Sequence, residues 1–532
     1  MPAAITGLPR AAGVLARAGL IRPERPDRLL RAGLAMRRWG LTPAAGYAAA
    51  AARFPDATGL IDERGELTFA EIHGRSNALA HALLERRVGN GSLMGMLCRN
   101  HRWFVEASVG LAKAGADVIY LNPGSAGPQL VEIIEREGVT GLVYDQEFAP
   151  PHLELRDGQL VAWHDGAAPD DSLEALIAGR PRTLPPRPRR ESKVVMLTSG
   201  TTGTPKGARP GQPKSLMPAV AMLARIPLRA RQTMLVAPPL FHAWGFGLFR
   251  LGQVLSSTQV IHRRFNPEAA LVAIERHCIT AVVAVPAMLQ RLLELPADVR
   301  SRYDLSSLRV VMVGSAPLPA ELATRFMDAF GDVLYNFYGS TEFAWAAIAT
   351  PDELRAAPGT AGRPPLGTAI RILDESGHQM PAGEVGRVYV GNEMLFEGYT
   401  TSGESREIVD GLMRTGDVGR IDENGLLFLE GRDDEMIISG GENVYPQEVE
   451  ETISAHPHVA EAAVIGVEDD RFGQRLRAYV VPSQGRTLSE EDIRRHVKAH
   501  LADYKAPRDV LFIDELPRTA TGKVIRRDLD RS

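Results

Sequence analysis

The ten residues TSGTTGTPKG, 198–207, contain three glycines, four threonines, a serine, a proline and a lysine. Such a stretch cannot build a core. Glycine and proline weaken helices and strands, and the hydroxyl side chains compete for backbone hydrogen bonds, so it reads as a loop. The run KVVML just before it, 193–197, reads as a short buried strand. A strand that empties into free backbone N–H groups, hydroxyls and one ammonium suits phosphate oxygens. The common phosphate loop is excluded: counting from Gly200, Pro205 stands where the second glycine belongs, and Lys206 precedes Gly207 rather than a Ser or Thr. The dinucleotide pattern of glycines is missing as well.

A chain of 532 residues exceeds one compact core and implies about two to four structural units. The composition, 44% hydrophobic and 24% charged, is that of a globular enzyme, and a net charge of −4 gives no general attraction to nucleic acid. Cys98 and Cys278 are the only cysteines, which excludes a disulfide framework and a Cys-rich zinc site. A reducing cytoplasm is the simplest setting. No apolar run reaches the roughly eighteen residues of a membrane span; ITAVVAVPAML, 279–289, is broken by Pro286.

The first fifty residues form a basic helical segment in which Arg10, Arg17, Arg22, Arg25, Arg28, Arg31, Arg37 and Arg38 face only Glu24 and Asp27. Two readings stay open, a membrane-surface or targeting segment, or an Arg-rich helix pair on the protein's own surface, and the second is favoured. From residue 54 to 121 a hairpin, an amphipathic helix carrying Ile72, Leu79, Ala80 and Leu83, a strand and a second helix alternate. RTLPPRPRR, 182–190, is an extended connection without core-building capacity. The segments MLVAPPLFHAWG (234–245), VVAVPAML (282–289) and VVMVGSAPL (310–318) are apolar strands that stop at Pro or Gly. In a parallel sheet those ends share one ligand-binding rim, and the 198–207 loop is expected on it. After residue 346 short Gly-bounded strands follow, and the last hundred residues read as a small α+β unit with Ser489 capping a helix.

TSGTTGTPKG at 198, YGSTE at 338–342, RTGD at 414–417, GRDDEMIISGGENVYP at 431–446 and PRTATGK at 517–523 occur in that order. Together they resemble the adenylate-forming enzymes, specifically the fatty acyl-CoA synthetases, from about residue 50 to the C-terminus. The resemblance implies an α/β fold: a large N-terminal domain of parallel and mixed sheets layered with helices (51–432) and a small mobile α+β C-terminal domain (433–532), hinged near Asp434. It implies activation of a medium to long fatty acid to an acyl-adenylate and transfer to CoA, with ATP, Mg²⁺ and CoA as partners.

Residue by residue, the resemblance places Thr198, Ser199, Gly200, Thr201, Thr202, Gly203 and Lys206 on the ATP phosphates, and Thr198 and Glu342 on Mg²⁺. Tyr338 and Gly339, with Gly314, Ser315 and Ala316 opposite, hold adenine. Thr341 contacts the α-phosphate, Asp417 the ribose, and Arg432 ribose or phosphate. Lys523 bridges the acyl carboxylate and α-phosphate, and Gly440 and Gly441 pass the pantetheine arm. His242, Trp244 and Phe246 line the acyl pocket, His242 being counted with the catalytic groups. No Lys or Arg in PLFHAWGFG, 239–247, calls for a second acid group, so an aliphatic monocarboxylate is favoured. The rival readings are an acyl-AMP ligase that passes its product to a carrier protein, and a non-catalytic lipid- or membrane-binding protein on the same fold. Peripheral contact at the inner face of the membrane stays open, as does the oligomeric state.

Overall fold

The computed structural model describes residues 3–529 except 126, 149–152, 199–205, 212, 214, 401–405, 434, 440–441, 470–472, 484, 487 and 520–521. Its centre is two large sheets. One runs Ala347–Ala349, Leu334–Tyr338, Val310–Val313, Ala281–Ala284, Thr233–Val236, Thr258–Ile261, Thr58–Asp62, Gly65–Thr68, parallel except for the outer strand at each edge. The β-branched runs Val310–Val313 and Ala281–Ala284 are buried at every position, as a parallel sheet covered on both faces requires.

The second sheet runs Gly398–Tyr399, Lys206–Arg209, Val194–Thr198, Asp117–Tyr120, Leu93–Leu97, Gly141–Tyr144, Gln159–Val161. The expectation of a shared rim is therefore corrected. The strand before the 198–207 loop belongs to this sheet, while the three Pro- or Gly-ended strands belong to the other, so the rim is assembled from two sheets. Within the second sheet Val194–Thr198 pairs antiparallel with Lys206–Arg209 and places Thr198 opposite Lys206. The strands on either side of the Gly/Thr stretch are thus antiparallel neighbours. Residues 199–205, and with them Ser199, Gly200, Thr201, Thr202 and Gly203, lie outside the described residues.

A third sheet joins Ala369–Leu373, Gly386–Gly391, Leu412–Ile421 and Ile408–Val409, with Leu427–Arg432 paired to Leu412–Ile421. Past Arg432 the chain enters a fourth sheet, which holds Ile437–Ser439, Glu442–Val444, Val459–Asp469, Gly473–Pro482 and Asp509–Phe512. Its own core includes Val449, Ile453, Val480, Ile493 and Val497. The helix Glu490–His500 starts at a capping box in which Ser489 and Asp492 satisfy each other's backbone N–H groups.

The basic N-terminal segment folds back on the large unit as α1 (Ala3–Arg17), α2 (Pro26–Trp39) and α3 (Pro43–Arg53). Ala11, Val14, Ala18 and Trp39 are buried in the main core, and α1 packs on the Met217–Arg225 helix. Glu24 receives Arg53 at 2.7 Å and Arg22 at 2.9 Å, tying the α1–α2 connection to α3. The favoured reading of a surface helix set thus describes how the inner face packs. No described helix is long and apolar enough to cross a membrane.

Candidate active site

A cavity of about 1130 Å³ lies between the two large sheets and the small unit. Lys206, Ser315, Ala316, Tyr338, Gly339, Thr341, Glu342, Asp417, Arg432 and Lys523 all line it, as do His242, Trp244 and Phe246. Residues more than three hundred positions apart in the chain therefore meet in one space.

Asp417 and Arg432 meet because they sit opposite each other in the antiparallel pair Leu412–Ile421 and Leu427–Arg432. Arg432 Nη1 donates to Asp417 Oδ1 at 3.4 Å. Tyr338, from the last parallel strand of the first sheet, donates its hydroxyl to Asp417 Oδ2 in a short bond. Thr415 Oγ1 accepts from the Asp417 N–H at 3.0 Å and donates to the Val388 carbonyl at 3.0 Å, which fixes the turn. Burial raises the Asp417 carboxyl against the opposing pull of Tyr338, Arg432 and Lys523, and burial with Asp417 raises the Tyr338 phenol.

Glu342 closes the YGSTE turn. Ser340 Oγ donates to its Oε2 at 2.8 Å, while Tyr399 Oη at 3.0 Å and Arg406 Nη2 at 3.2 Å donate to its Oε1. Burial works to raise this carboxyl, but Ser340, Arg406 and Tyr399 outweigh it and hold it below the usual glutamate range. An ionised oxygen donor facing the cavity fits a hard divalent cation, with Arg406 as the counter-charge such an ion would displace. Thr198 is described only through its backbone, opposite Lys206. Lys206 Nζ lies 6.0 Å from the Tyr399 ring centroid, within the same cluster. Gly339 admits no other residue: a Cβ there would lie 2.1 Å from the Ala344 carbonyl oxygen.

Ser315 and Ala316 line the cavity where Val310–Val313 ends, and Ser315 takes a φ of 73°, a left-handed conformation held at the strand end. Gly314, next to them, stands close behind two lining rings: a Cβ there would meet Phe337 at 3.2 Å and Trp244 at 3.3 Å. Its bare Cα serves aromatic packing behind the wall.

Lys523 reaches the cavity from the small unit. The loop that carries it is closed by the Thr519 N–H to Lys523 carbonyl bond of 2.8 Å and rests on the large unit, where a Gly522 Cβ would lie 3.2 Å from Ala287. Burial lowers the Lys523 ammonium, with Arg432 and Arg526 adding to the effect and Glu435 and Asp417 opposing it. His242 feels the same cation: burial and Lys523 bring its imidazole down to about 4, so it is neutral at physiological pH. His242 caps the helix Ala243–Val254 by accepting the Trp244 N–H on Nδ1 at 3.4 Å. Trp244 Nε1 donates to the Ala284 carbonyl at 2.8 Å, and its ring meets Phe337 edge-on at 4.9 Å. Phe246 packs on Tyr120 at 4.9 Å.

Asp434, Gly440 and Gly441 lie outside the described residues. Next to the expected hinge, Asp433 is gripped from the large unit by Arg414 and by Arg387 at 3.3 Å. The sequence reading missed Arg406, Tyr399, Ser340 and Thr415, all of which hold a site carboxylate, and Arg250, which lines the cavity three residues past the stretch quoted for the acyl pocket.

Residues 47–400 match the AMP-binding enzyme family, and residues 448–523 match the AMP-binding enzyme C-terminal domain. Feruloyl-CoA synthase of an Amycolatopsis species is 35% identical over 484 residues, 90% of this chain and 96% of that one. Indoleacetate–CoA ligase of Aromatoleum aromaticum is 34% identical over 487 residues, 89% of this chain and 95% of that one. The solved o-succinylbenzoate CoA synthetase of Bacillus subtilis, in complex with its acyl-adenylate intermediate, superposes with a TM-score of 0.80 at 27% identity, covering 92% of this chain and 98% of that one. By the family match across most of its length and the relatives at this identity, the chain belongs to the AMP-binding, adenylate-forming enzymes.

Proposed function

We propose that this chain is an acid–thiol ligase that activates a carboxylic acid with ATP and passes the acyl group to CoA. The observation that carries the reading is the convergence of Lys523 from the small unit with Asp417, Arg432, Glu342 and Lys206 from the large one in a single cavity continuous with the Trp244 wall. A carboxylate resists thiol attack because its charge repels the nucleophile and oxide is a poor leaving group. In the first step a carboxylate oxygen bonds to the α-phosphorus of ATP while the bond to pyrophosphate breaks. In the second the CoA sulfur bonds to the acyl carbon, its proton passes to solvent, and AMP leaves.

The chain's own residues divide this work. Lys523 bridges the two anions that must approach; Glu435 and Asp417 attract its ammonium toward the junction while Arg432 and Arg526 repel it. Asp417, fixed by Tyr338 and Thr415, offers acceptor oxygens to ribose, and Arg432 adds charge beside it. Ser315 and Ala316 face Tyr338 across the space for adenine. Lys206 and the 198–207 loop hold the outer phosphates, Thr341 the α-phosphate. Glu342, with Thr198, would hold Mg²⁺, which would neutralise the polyphosphate charge. His242, neutral and committed to its helix, positions the Trp244 wall rather than supplying charge. The segment between Arg432 and Ile437, anchored at Asp433, is the pivot that withdraws Lys523 for thioester formation.

For the acid, the apolar wall of Trp244, Leu248, Leu251, Val254, Met196 and Met222 supports a fatty or aryl body. The activities in the names of the relatives above favour a ring-bearing acid over a simple alkanoate. Incubating the protein with ATP, Mg²⁺ and fatty and aryl acids, with and without CoA, separates the readings. Pyrophosphate release and acyl-CoA formation are expected. Adenylate formed without any CoA thioester points to the carrier-protein reading, and neither product defeats the enzyme reading.

A peripheral membrane contact in the cytoplasm is a second proposal. Ile21, Leu29, Leu30 and Leu34 are 55%, 45%, 65% and 54% exposed on or beside α2, among Arg25, Arg31 and Arg37. An apolar stripe flanked by guanidinium groups fits an anionic lipid surface.

A further inference from the structure

Gly247, Arg250, Leu251 and Val254 recur at spacings of three, four and seven in the Ala243–Val254 helix, so one helical face carries them. All four line the reaction cavity. The helix begins at His242, which feels the Lys523 charge, and the six residues from Trp244 to Arg250 correspond to about 9 Å of rise along it. At Gly247 the wall is open, since nothing lies within 4 Å of a Cβ built there.

Arg250 is an unusual side chain for such a place. It lines a stretch shared with Met196, Met222, Leu251 and Val254, and burial lowers its guanidinium to about 10. One Nη2 donates to the Leu41 carbonyl at 2.5 Å, and among the described residues no carboxylate pairs with it. A guanidinium has five N–H donors, so most of its capacity is unspent. The hydroxyls of Thr42 and Ser192 at that end of the cavity donate to the Trp39 and Ala116 carbonyls. Arg250 is half-buried and its free edge opens on the cavity, so an acid that displaces water there meets N–H donors that an acceptor oxygen can take up.

We infer that Arg250 is a second recognition point, and that the acid this site activates carries an oxygen acceptor, a carboxylate or a carbonyl, at the end remote from its reacting carboxylate. This rests on the acid-activating reading above and names its substrate class. It also revises the favoured aliphatic monocarboxylate, because the charge that reading found missing from 239–247 stands one helical turn further on. Hydrogen bonds between a guanidinium and such an acceptor set the discrimination at roughly 10- to 100-fold.

The test compares kcat/KM for adenylation of three acids of equal length: an unsubstituted alkanoate, the α,ω-dicarboxylate and the ω-oxo acid. Wild type, Arg250→Leu and Arg250→Lys are each assayed and their Tm recorded. Wild-type preference for the dicarboxylate or the oxo acid, lost by roughly 10- to 100-fold in Arg250→Leu and partly kept for the dicarboxylate in Arg250→Lys, is the expected result; which of the two acids wild type favours distinguishes carboxylate from carbonyl. Equal preference in wild type overturns the inference. So does a uniform loss across the three acids in Arg250→Leu with a lowered Tm, which assigns Arg250 to anchoring Leu41 alone. If wild type adenylates none of these acids or the broader panel, the acid-activating reading itself has failed, a result separate from either.

Discussion

Lys523→Ala removes a cation that the small unit carries into the reaction cavity, where Asp417 attracts it and Arg432 and Arg526 repel it. Lys523 is largely shielded from solvent, and burial already lowers its ammonium, so its charge acts through a medium much less polar than water. A unit charge about 4 Å from a developing charge, at an effective dielectric near 20, is worth about 4 kcal/mol, or roughly a thousandfold in rate. The same lowering gives the pH dependence a sign. The cationic form is required, so as pH rises adenylation fails below the ordinary lysine range, while the acid side is unaffected by this group. The assay is pyrophosphate exchange for the first half-reaction, set against conversion of supplied acyl-adenylate and CoA to thioester for the second. Exchange is expected to fall about a thousandfold with transfer largely retained, because the proposed pivot takes Lys523 away before the sulfur attacks. Equal loss in both half-reactions, or exchange within tenfold of wild type, refutes the assignment.

Gly339→Ala forces a Cβ against the Ala344 carbonyl oxygen, which is backbone and cannot step aside; overpacking of about 1–3 kcal/mol is expected in thermal unfolding, with loss of Mg²⁺-dependent adenylation as Glu342 is displaced. Gly247→Phe fills the open wall and is expected to exclude long or ring-bearing acids while short ones still react, read as a shift in the kcat/KM series. Glu24 is held at about 2 by Arg53 and Arg22. Its contribution, about 1–2 kcal/mol after solvent screening, is therefore present above the unfolded glutamate range and lost as pH falls toward 2. Glu24→Gln should lower the Tm at neutral pH and erase the difference in acid. Leu30→Ser with Leu34→Ser should reduce cosedimentation with anionic vesicles and leave ATP-dependent activity intact; unchanged sedimentation, or none in wild type, counts against the lipid contact.

Local chemistry was readable in the residues because it depends on neighbours in the chain. Hydrophobic spacing placed Ile72, Leu79 and Leu83 in the buried face of one helix, Ser489 at the start of another, and Val310–Val313 in a covered strand, and all stand so. Partner choice is different. KVVML carries nothing that says which sheet it joins, since any apolar strand offers the same backbone donors and acceptors, and so it was wrongly grouped with 310–318. Asp417 and Arg432 were each identifiable from a motif, yet their pairing follows from strand register, which shifts between Val418 and Gly419 and is set by the fold.

The residues that escaped notice share one property: each is a lone polar side chain whose meaning lies in what faces it. Arg406 follows a segment without a motif and matters only because Glu342 lies 3.2 Å away. Arg250 did leave a trace, for it falls three residues after Gly247 on the same helical face, and carrying the periodicity one turn beyond the aromatic cluster would have put a guanidinium in the acyl wall. The family motifs mark where the nucleotide is held because that chemistry is common to every acid activated. In the proposed reading the acid meets the Ala243–Val254 helix and the Leu41–Pro43 stretch, which line the same cavity. Substrate class is therefore argued from the donors which that wall leaves unspent, and Arg250 is the donor on which it turns.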